Sequence, residues 1–578
     1  MKDIKYSEIL KINKSLYENL SDESYQIKVL SNINTSQLNE ILEYTLRTDS
    51  VPAIVESGEY DNIVQDSLNC SGFNLVIIFW ELSNIVNGFQ YKSELLEESQ
   101  LSKLIKELEL NIEFVLKNIN KSSLAIINKF SALSFSNNNL RKTNIEKLAT
   151  TLNEVLLDYV GSNIKIVDLE KVIAMTGIND SLDLRYFYSS KALYTIKFYK
   201  NYVEFIKPLI LSTNGLSKKA LILDCDNTIW GGILGEDGFD AIEMSPETAR
   251  GSVYSEVQSI VLSLKKQGVL IGLCSKNNYE DVVEVIENHP DMQLRENHIS
   301  ILKVNWNDKA ANLREISNEL NIGLESMVFV DDSSFEVNLV KENLPEIKVF
   351  QVPKNIYDYP SMMNMCQNLF YSLSTTDEDS NRVDMYKQAE KREKNKESFT
   401  SLVEYLSSLK LEIFLHKDLL SIIPRLSQMT QKTNQFNTTT KRYTENDIEK
   451  FIKDKNVKIF AFSIKDKFGS YGITSLIIVN KIEEYRANLD TFLLSCRVIG
   501  RNLEFALMDF IINSLKKENI KVIEARYIKT LKNQQVSRLY DSCCFSRTDF
   551  NEDETTYRLN IDDYKANNLE YIRFIDVN

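Results

Sequence analysis

Short apolar runs alternate with helical stretches over residues 1–215. The spacing of apolar positions predicts long helices at Glu94–Ile119 and Asn144–Tyr159. The apolar runs that separate such stretches are Gln26–Ser31, Val51–Val55, Asn74–Trp80, Leu124–Asn128 and Ile164–Asp168. Alternation of this kind is typical of a parallel sheet with helices on both faces. We therefore predict an α/β domain over residues 1–215.

The same alternation continues after residue 216 and later changes character. Five further runs predict the strands of a second α/β domain over residues 216–372: Ala220–Leu223, Val269–Cys274, Ile301–Val304, Met327–Val330 and Lys348–Val352. The charged stretch Thr375–Ser398 predicts a solvated helix or linker over residues 373–400. Residues 401–578 predict an α+β domain with helices and strands at Leu411–Leu415, Lys458–Ile464, Ser475–Val479, Ala487–Leu494 and Lys521–Ala525.

The composition is that of a globular protein, with 43% hydrophobic and 26% charged residues. A net charge of −14 opposes binding to nucleic acid or to an anionic membrane, because both need concentrated positive charge. The longest apolar run, Leu75–Trp80, is far too short to span a bilayer, and the amino terminus lacks the apolar core of a secretory signal. The scattered cysteines are typical of free thiols. We therefore expect a cytoplasmic protein that binds neither nucleic acid nor membrane.

Two predicted strands of the second domain end in paired carboxylates. Asp224 and Asp226 follow one buried strand, and Asp331 and Asp332 follow another. In an open α/β sheet, ligands bind beyond the carboxyl ends of the strands. One carboxylate of the first pair can attack phosphorus while the other handles the proton of the leaving group. Carboxylates this close together need a cation, and an all-oxygen site suits Mg²⁺.

Two further polar residues lie near other predicted strand ends. Ser275 offers a hydroxyl, and Lys309 offers a cation that can hold a transferring phosphoryl group. The stretches between these motifs are too short for a separate cap domain, since such a domain needs a core of its own. We therefore expect an open site, which suits a bulky or protein-borne substrate.

The second domain resembles the haloacid dehalogenase (HAD) superfamily, whose four motifs are matched here in order by Asp224, Ser275, Lys309 and Asp331. The resemblance implies a Rossmann-like parallel sheet without a large cap, an aspartyl-phosphate intermediate and Mg²⁺. It makes Asp224 the nucleophile and Asp226 the general acid/base, while Ser275 and Lys309 hold the phosphoryl group. The metal ligands that it implies are Asp224, Asp226, Asp331 and Asp332.

Four longer motifs are similar to those of FkbH-like proteins, which form a branch of this superfamily (subfamily IIIC). They are Asp224–Gly238, Lys432–Thr440, Phe468–Gly472 and Leu494–Arg501. The resemblance implies a transferase/phosphatase of polyketide biosynthesis. Such an enzyme takes a small acyl phosphate, 1,3-bisphosphoglycerate, removes phosphate, and loads the glyceryl group onto an acyl carrier protein. The alternative is a stand-alone Mg²⁺-dependent phosphatase acting on a small phosphate ester or sugar phosphate. The first domain is similar in layout to SGNH-like or flavodoxin-like domains and is expected to be non-catalytic.

The strand–loop–helix around Arg497 resembles the coenzyme A loop of N-acetyltransferases of the GNAT family. A helix start with nearby glycine and arginine can receive a pyrophosphate on free backbone N–H groups. The residues that the resemblance assigns to coenzyme A or to the phosphopantetheine arm of a carrier are Arg497, Gly500, Arg501, Asn533 and Tyr540. Asn502 stands where the family has a small residue. An inert or docking GNAT-like domain is the alternative interpretation.

Two cysteines are candidates for a thioester relay between an acyl donor and a carrier thiol. Cys225 lies between the two acids of the first motif, but strand alternation points its side chain away from them and favours a packed core thiol. Cys496, at the mouth of the GNAT-like loop, is the competing candidate. A useful relay thiol is partly exposed.

Overall fold

The computed structural model describes residues 4–18, 20, 24–85, 91–120, 122, 124–133, 135, 141–161, 163–372, 399, 401–417, 419–530 and 532–575. The chain divides into two compact units, one of residues 1–214 with 443–447 and the other of residues 215–442 with 448–578. The first unit contains one β-sheet and the second contains two. The domain boundaries given above remain predictions, and the predicted linker lies outside the described residues apart from Phe399.

The first sheet is parallel and five-stranded, and its order is β2-β1-β3-β4-β5. Its strands are β1 (Tyr25–Ser31), β2 (Ala53–Ser57), β3 (Leu75–Phe79), β4 (Leu124–Asn128) and β5 (Ile164–Val167). The helices of this unit are Tyr6–Tyr17, Ser36–Thr48, Ile63–Asp66, Leu82–Ile85, Glu98–Ile119, Asn144–Asp158, Leu169–Thr176, Ile178–Ser181, Leu184–Ser190 and Ile196–Thr213. The order is that of flavodoxin-like folds. It confirms the α/β prediction for this part of the chain.

The second sheet is also parallel, in the order β10-β9-β6-β7-β8. Its strands are β6 (Ala220–Leu223), β7 (Leu270–Ser275), β8 (Ile301–Val304), β9 (Met327–Asp331) and β10 (Lys348–Gln351). The helices around it are Leu234–Asp237, Ala249–Lys266, Tyr279–Asn288, Lys309–Glu319, Ser334–Asn343 and Tyr359–Gln367. Read from the opposite side, this is a Rossmann-like order. The connections between these strands contain single helices and a short flap (Trp230–Gly238) rather than a cap domain, as predicted.

Alternation along β6 shows how this sheet is buried on both faces. Leu221 and Leu223 pack into one hydrophobic cluster with helix Ala249–Lys266, whereas Ala220 and Ile222 pack into another with helix Lys309–Glu319. Successive side chains of a strand point to opposite faces, so a strand covered on both sides is apolar throughout. Burial fixes the register of β6 and therefore the place where the acids after it emerge.

The third sheet has eight strands in the order β16-β17-β15-β14-β13-β12-β11-β18 and is largely antiparallel. Its strands are β11 (Leu411–Leu415), β12 (Val457–Asp466), β13 (Gly469–Glu483), β14 (Arg486–Leu494), β15 (Val522–Ile528), β16 (Ser546–Phe550), β17 (Glu554–Asn560) and β18 (Ile572–Ile575). The helices are Leu402–Leu409, Ile423–Lys432, Glu445–Lys453, Leu503–Lys517 and Leu539–Ser542. The strands β14 and β15 run parallel and are joined through helix Leu503–Lys517. This is the predicted α+β layout. Among the described residues, no helix is both long and apolar enough to cross a bilayer.

Candidate active site

The carboxylates of the second sheet meet at its topological switch point. Connections leave β6 toward β7 on one side and reach β9 on the other, so a crevice opens between the carboxyl ends of β6 and β9. Asp224 follows the last residue of β6, and Asp331 is the last residue of β9. The Asp224 N–H donates to the carbonyl of Val330 over 3.0 Å, which ties the two strand ends together. The paired strand ends therefore hold both acids at one place.

Lys309 bridges the two acids. Its Nζ lies 3.0 Å from Asp224 Oδ1 and 2.6 Å from Asp331 Oδ2. The lysine is the first residue of helix Lys309–Glu319, and the Asp308 side chain caps that helix by accepting from Ala311 N at 2.9 Å. Of the four matched motifs, this one thus stands at a helix start rather than at a strand end. The cap fixes the helix start and, with it, the origin of the lysine side chain.

Burial controls the charges of this group. It raises the pKa of Asp224 to about 6, although Lys309 opposes the shift. It also raises the pKa of Asp331 and of Asp332. Burial works the other way on Lys309, but the two neighbouring carboxylates outweigh it and raise the pKa of the ammonium. The lysine therefore stays charged and favours the ionised form of its partners.

The carboxylates of Asp224, Asp331 and Asp332 form a group whose oxygens lie within 4.8 Å of one another. When ionised they carry three negative charges, which the single ammonium of Lys309 offsets only in part. Hard oxygen donors and an excess of negative charge are what Mg²⁺ binds in proteins. The donor set therefore fits Mg²⁺.

Asp226 is held by a different set of contacts. Its Oδ1 accepts from Trp230 Nε1 at 2.9 Å and from the Leu234 N–H at 3.0 Å, and its Oδ2 accepts from Asn277 Nδ2 at 2.9 Å. These donors fix the carboxylate against the flap, outside the group of three described above. The role of Asp226 as a metal ligand therefore stays a prediction.

The flap starts with a turn that two residues make possible. Asn227 has a left-handed backbone with φ of 50°, and its side-chain oxygen accepts from the Gly232 N–H at 3.0 Å and from Arg250 at 3.1 Å. Gly232 has φ of 103°, a conformation that glycine adopts at no steric cost. The sequence did not predict the contact between Arg250 and Asn227, because a short helix separates the two residues along the chain.

Ser275 lies at the end of β7 and is buried. Its side chain lowers the pKa of the Asp224 carboxyl against the effect of burial and so favours the charged form. Asn277, two residues on, donates to Asp226 and to Ser275 Oγ, the latter over 3.4 Å. The asparagine links Asp226 to Ser275 through one side chain. Sequence reasoning gave it no role, and its place two residues after Ser275 was the available signal.

The two candidate relay thiols lie in different surroundings. Cys225 is fully buried in the hydrophobic cluster of the second sheet, and burial raises its pKa well above that of an ordinary thiol. This placement agrees with the packed core thiol. Cys496 is partly exposed and lines a cavity with Lys219, Glu325, Lys432 and Arg497.

That cavity lies at the amino edge of the second sheet, away from the carboxylates. Lys219 precedes β6, and Glu325 precedes β9. A strand rises about 3.3 Å per residue, so the backbone positions of Lys219 and Asp224 are about 16 Å apart. The Cys496 thiol therefore lies near the amino ends of the strands of the second sheet, whereas Asp224, the candidate nucleophile, lies at their carboxyl ends.

The residues assigned to coenzyme A are mostly engaged in contacts within the third domain. Gly500 has φ of 80°, and Arg497 Nε donates to Ser495 Oγ over 3.2 Å. Arg501 donates to the carbonyls of Arg497 and Ile499 at 3.0 and 3.2 Å. Asn533 and Tyr540 are buried and bond to residues of the Lys432–Thr440 motif.

The fold of this chain is similar to that of solved proteins. One is the N-terminal part of protein BF1531 from Bacteroides fragilis, which contains a phosphatase domain complexed with Mg: the identity is 25%, the TM-score is 0.56, and the match covers 64% of this chain and all of that one. Two acetyltransferases match with TM-scores of 0.21 over 26% of this chain. They are the ribosomal-protein-S18-alanine N-acetyltransferase of Escherichia coli (15% identity, 94% of that chain) and Ard1 of Thermoplasma volcanium (14% identity, 98% of that chain). No family model and no curated protein matches.

Proposed function

We propose that this chain is an Mg²⁺-dependent phosphatase of the HAD superfamily, with Asp224 as its nucleophile. The observation that carries the proposal is the bridge from Lys309 Nζ to Asp224 and Asp331 at the switch point of a Rossmann-like sheet. The similarity to a phosphatase domain that was crystallised with Mg supports it.

The chemistry proceeds in two displacements at phosphorus. A carboxylate oxygen of Asp224 attacks the phosphoryl group, the bond to the leaving oxygen breaks, and Asp226 supplies a proton to that oxygen. Water then attacks the aspartyl phosphate, Asp226 takes up its proton, and inorganic phosphate leaves. Lys309 neutralises charge on the transferring group throughout.

The residues that would hold Mg²⁺ are Asp224, Asp331 and Asp332. The ion supplies charge neutralisation at the phosphoryl oxygens. Asp226 is the acid/base candidate because the flap holds its carboxylate at a fixed place next to Asp224.

We further propose the FkbH-like reaction, in which a glyceryl group reaches an acyl carrier protein. The carrier thiol attacks the acyl carbon of 1,3-bisphosphoglycerate and expels the phosphate at that carbon, so that a thioester forms. The remaining phosphate ester is then hydrolysed through Asp224, which gives glyceryl-carrier and a second phosphate. In a second route to the same product, the partly exposed Cys496 thiol attacks the acyl carbon first and expels that phosphate, and the carrier thiol then takes the acyl group from Cys496 and frees its thiol.

A protein-borne substrate is supported by the surface around the site. The segments that follow four of the strands each present a large, exposed apolar side chain: Ile233, Tyr279, Trp306 and Phe335, of which Tyr279 and Phe335 stand in the first turns of helices. Each residue lies shortly after the end of β6, β7, β8 or β9. Aromatic side chains of this kind are typical anchors of protein interfaces, and a small phosphate ester has no use for them.

The test is to incubate the full chain with Mg²⁺, 1,3-bisphosphoglycerate and a carrier protein bearing phosphopantetheine. We expect phosphate release and a mass increase of the carrier equal to one glyceryl group. Phosphate release with no gain in carrier mass would refute loading while leaving the phosphatase proposal intact.

One observation favours the simpler alternative, a stand-alone phosphatase. Cys225 is buried, and Cys496 lies at the edge of the sheet opposite to Asp224. A stand-alone enzyme needs neither thiol. It would release phosphate from a small ester or sugar phosphate at the same rate with and without carrier.

A further inference from the structure

The two parallel strands of the third sheet separate where the coenzyme loop begins. Strands β14 and β15 pair from Arg486–Leu489 to Val522–Ala525, and their shared register ends there. Beyond Leu489 and Ala525, each strand continues for several residues toward the loop and offers backbone groups to the gap between them. Backbone groups inside a protein need partners, so something must fill this gap.

The chain fills the gap with its own segment Phe436–Thr440. The Thr438 N–H donates to the carbonyl of Phe492 on β14 over 3.2 Å, and the Thr438 carbonyl accepts from Ile528 on β15 over 2.8 Å. The Phe436 carbonyl accepts from the Leu494 N–H at 3.0 Å, and Asn437 forms a β-bridge with Leu493. One short segment therefore bonds to both strands.

Side chains fasten this segment in place. Asn533 Nδ2 donates to the Asn437 carbonyl at 3.0 Å, and the Tyr540 hydroxyl donates to Thr438 Oγ1 at 3.2 Å. Thr439 Oγ1 donates to the Asp490 carbonyl at 3.0 Å. The two residues assigned above to coenzyme A, Asn533 and Tyr540, thus hold the segment in the gap. Asn437 and Thr438 are completely buried by these contacts.

The loop that follows β14 is also poorly suited to an anion. The guanidinium of Arg501 turns back to two loop carbonyls and lies 5.1 Å from the ring of Tyr471. Glu504 stands in the first turn of helix Leu503–Lys517, where a pyrophosphate would have to bind. A carboxylate at that helix end repels a second anion.

We infer that the third domain is closed to coenzyme A because segment Phe436–Thr440 occupies the gap between β14 and β15. A pantetheine arm is an extended chain with two amide groups, and it would need the same strand-edge partners that the segment already uses. The domain therefore takes no acyl group from coenzyme A.

The closed gap gives this domain a structural role next to the second sheet. The segment continues directly from helix Ile423–Lys432, whose last carbonyl accepts from Lys219 Nζ at 2.7 Å. Asn321 Nδ2 donates to the Cys496 carbonyl at 2.7 Å, and Lys532 pairs with Glu325 at 3.1 Å. Holding the segment rigid therefore also holds the wall of the cavity beside Cys496.

The first test is a calorimetric titration of the full chain with coenzyme A and, separately, with acetyl-coenzyme A. Hydrogen exchange of the peptide covering residues 433–440 is measured in parallel. We expect no binding heat at millimolar ligand and strong protection of the peptide that the ligand does not change. Micromolar binding, or faster exchange of this peptide when ligand is added, would overturn the inference. Phosphate release from a small ester, measured on the same sample, reports on the second sheet, so a failure of the proposed phosphatase is distinguished from a failure here.

The second test uses Thr438→Val, which removes the hydroxyl that accepts from Tyr540. The buried tyrosine hydroxyl is then unsatisfied, and we expect about tenfold faster exchange in residues 436–440. Thr474→Val is the matched control, because the buried Thr474 hydroxyl has no hydrogen-bond partner among the described residues. Equal exchange in both variants would contradict the anchoring role. If Thr438→Val does not fold, the titration of the unaltered chain still decides.

Discussion

Each of the two parallel sheets contains a topological switch point, which lies between β1 and β3 in the first sheet and between β6 and β9 in the second. At the first switch point, Asn32 Nδ2 donates to the Glu81 carbonyl at 2.9 Å, and the Tyr194 hydroxyl donates to the Glu81 carboxyl at 3.0 Å. At the second, Lys309 bridges Asp224 and Asp331. Uncharged groups form hydrogen bonds with one another at the first switch point, whereas charged side chains meet at the second.

The first crevice is filled because its own chain covers it. Tyr199 and Tyr202 of helix Ile196–Thr213 are fully buried, and their rings pack around Phe79 at the end of β3. Burial raises the pKa of Glu81 to about 8, so this acid is mainly neutral at pH 7. The comparison shows that a switch point becomes a candidate site only when the acids there keep their charge and no aromatic cover closes over them.

Removal of the proposed nucleophile should show the largest difference in activity between the two switch points. We expect Asp224→Asn to lower Mg²⁺-dependent phosphate release by at least about 10³-fold, because an amide does not attack phosphorus. Glu81→Gln, at the other switch point, is the matched control and should keep the full rate. A steady-state phosphate assay decides, and residual activity above a tenth in Asp224→Asn would contradict the assignment.

Removing the bridging cation should destabilise the second sheet. In Lys309→Met, two buried carboxylates lose their shared partner, and we expect a loss of about 3–5 kcal/mol in the free energy of opening β6 and β9. Added Mg²⁺ should restore part of the loss. Hydrogen exchange of the two strands measures it. Lys303→Met is the control, since its partners Glu315 and Glu319 are exposed and the loss should stay below about 1 kcal/mol.

The first sheet should respond to pH through Glu81. Its pKa is about 8 in the folded chain against 4.5 for the free side chain. The folded state therefore binds the proton more tightly, and this stabilisation is fully present below pH 4.5 and is lost as pH rises through 8. The decline is on the order of 5 kcal/mol. Exchange of β3 amides as a function of pH measures it, and Glu81→Gln should abolish the slope.

The smallest effect concerns the rim of the second crevice. Trp306→Ala should raise the KM for a carrier-borne phosphate about tenfold, because an exposed aromatic anchor is lost. The KM for a small phosphate ester should not change. Ile482→Ala removes another exposed apolar side chain, from the β13–β14 hairpin, and serves as the control. Identical effects on both substrates would argue against docking at this edge.

Local patterns were enough to predict the strands of the two parallel sheets and the main acids, whereas β16, β17 and β18 of the third sheet were not predicted. Continuous apolar runs located β6 and β9 to within a residue at each end, and the acids after them followed from the rule for parallel sheets. Lys309 was identified although its position differs, since it begins a helix. Charged residues after buried strands are a strong signal because burial on both faces leaves them only the strand end.

Contacts between distant segments could not be predicted in this way. The hydrogen bonds from Trp230 and Asn277 to Asp226 join residues of two different loops. The place of Phe436–Thr440 between β14 and β15 depends on strands that lie some fifty to ninety residues further along the chain. A polar, threonine-rich segment has no periodicity that reveals its burial, and only its partners place it between two strands.

The docking of the third domain at the amino edge of the second sheet has a consequence for how such chains diversify. Its contacts involve Lys219, Asn321 and Glu325, which precede strands and lie apart from the loops of the candidate site. Substitutions in the loops beyond β6, β7, β8 and β9 can alter which molecule is accepted without loosening this joint. Related chains can therefore differ in the substrate that they accept while the contact between the third domain and the second sheet stays the same.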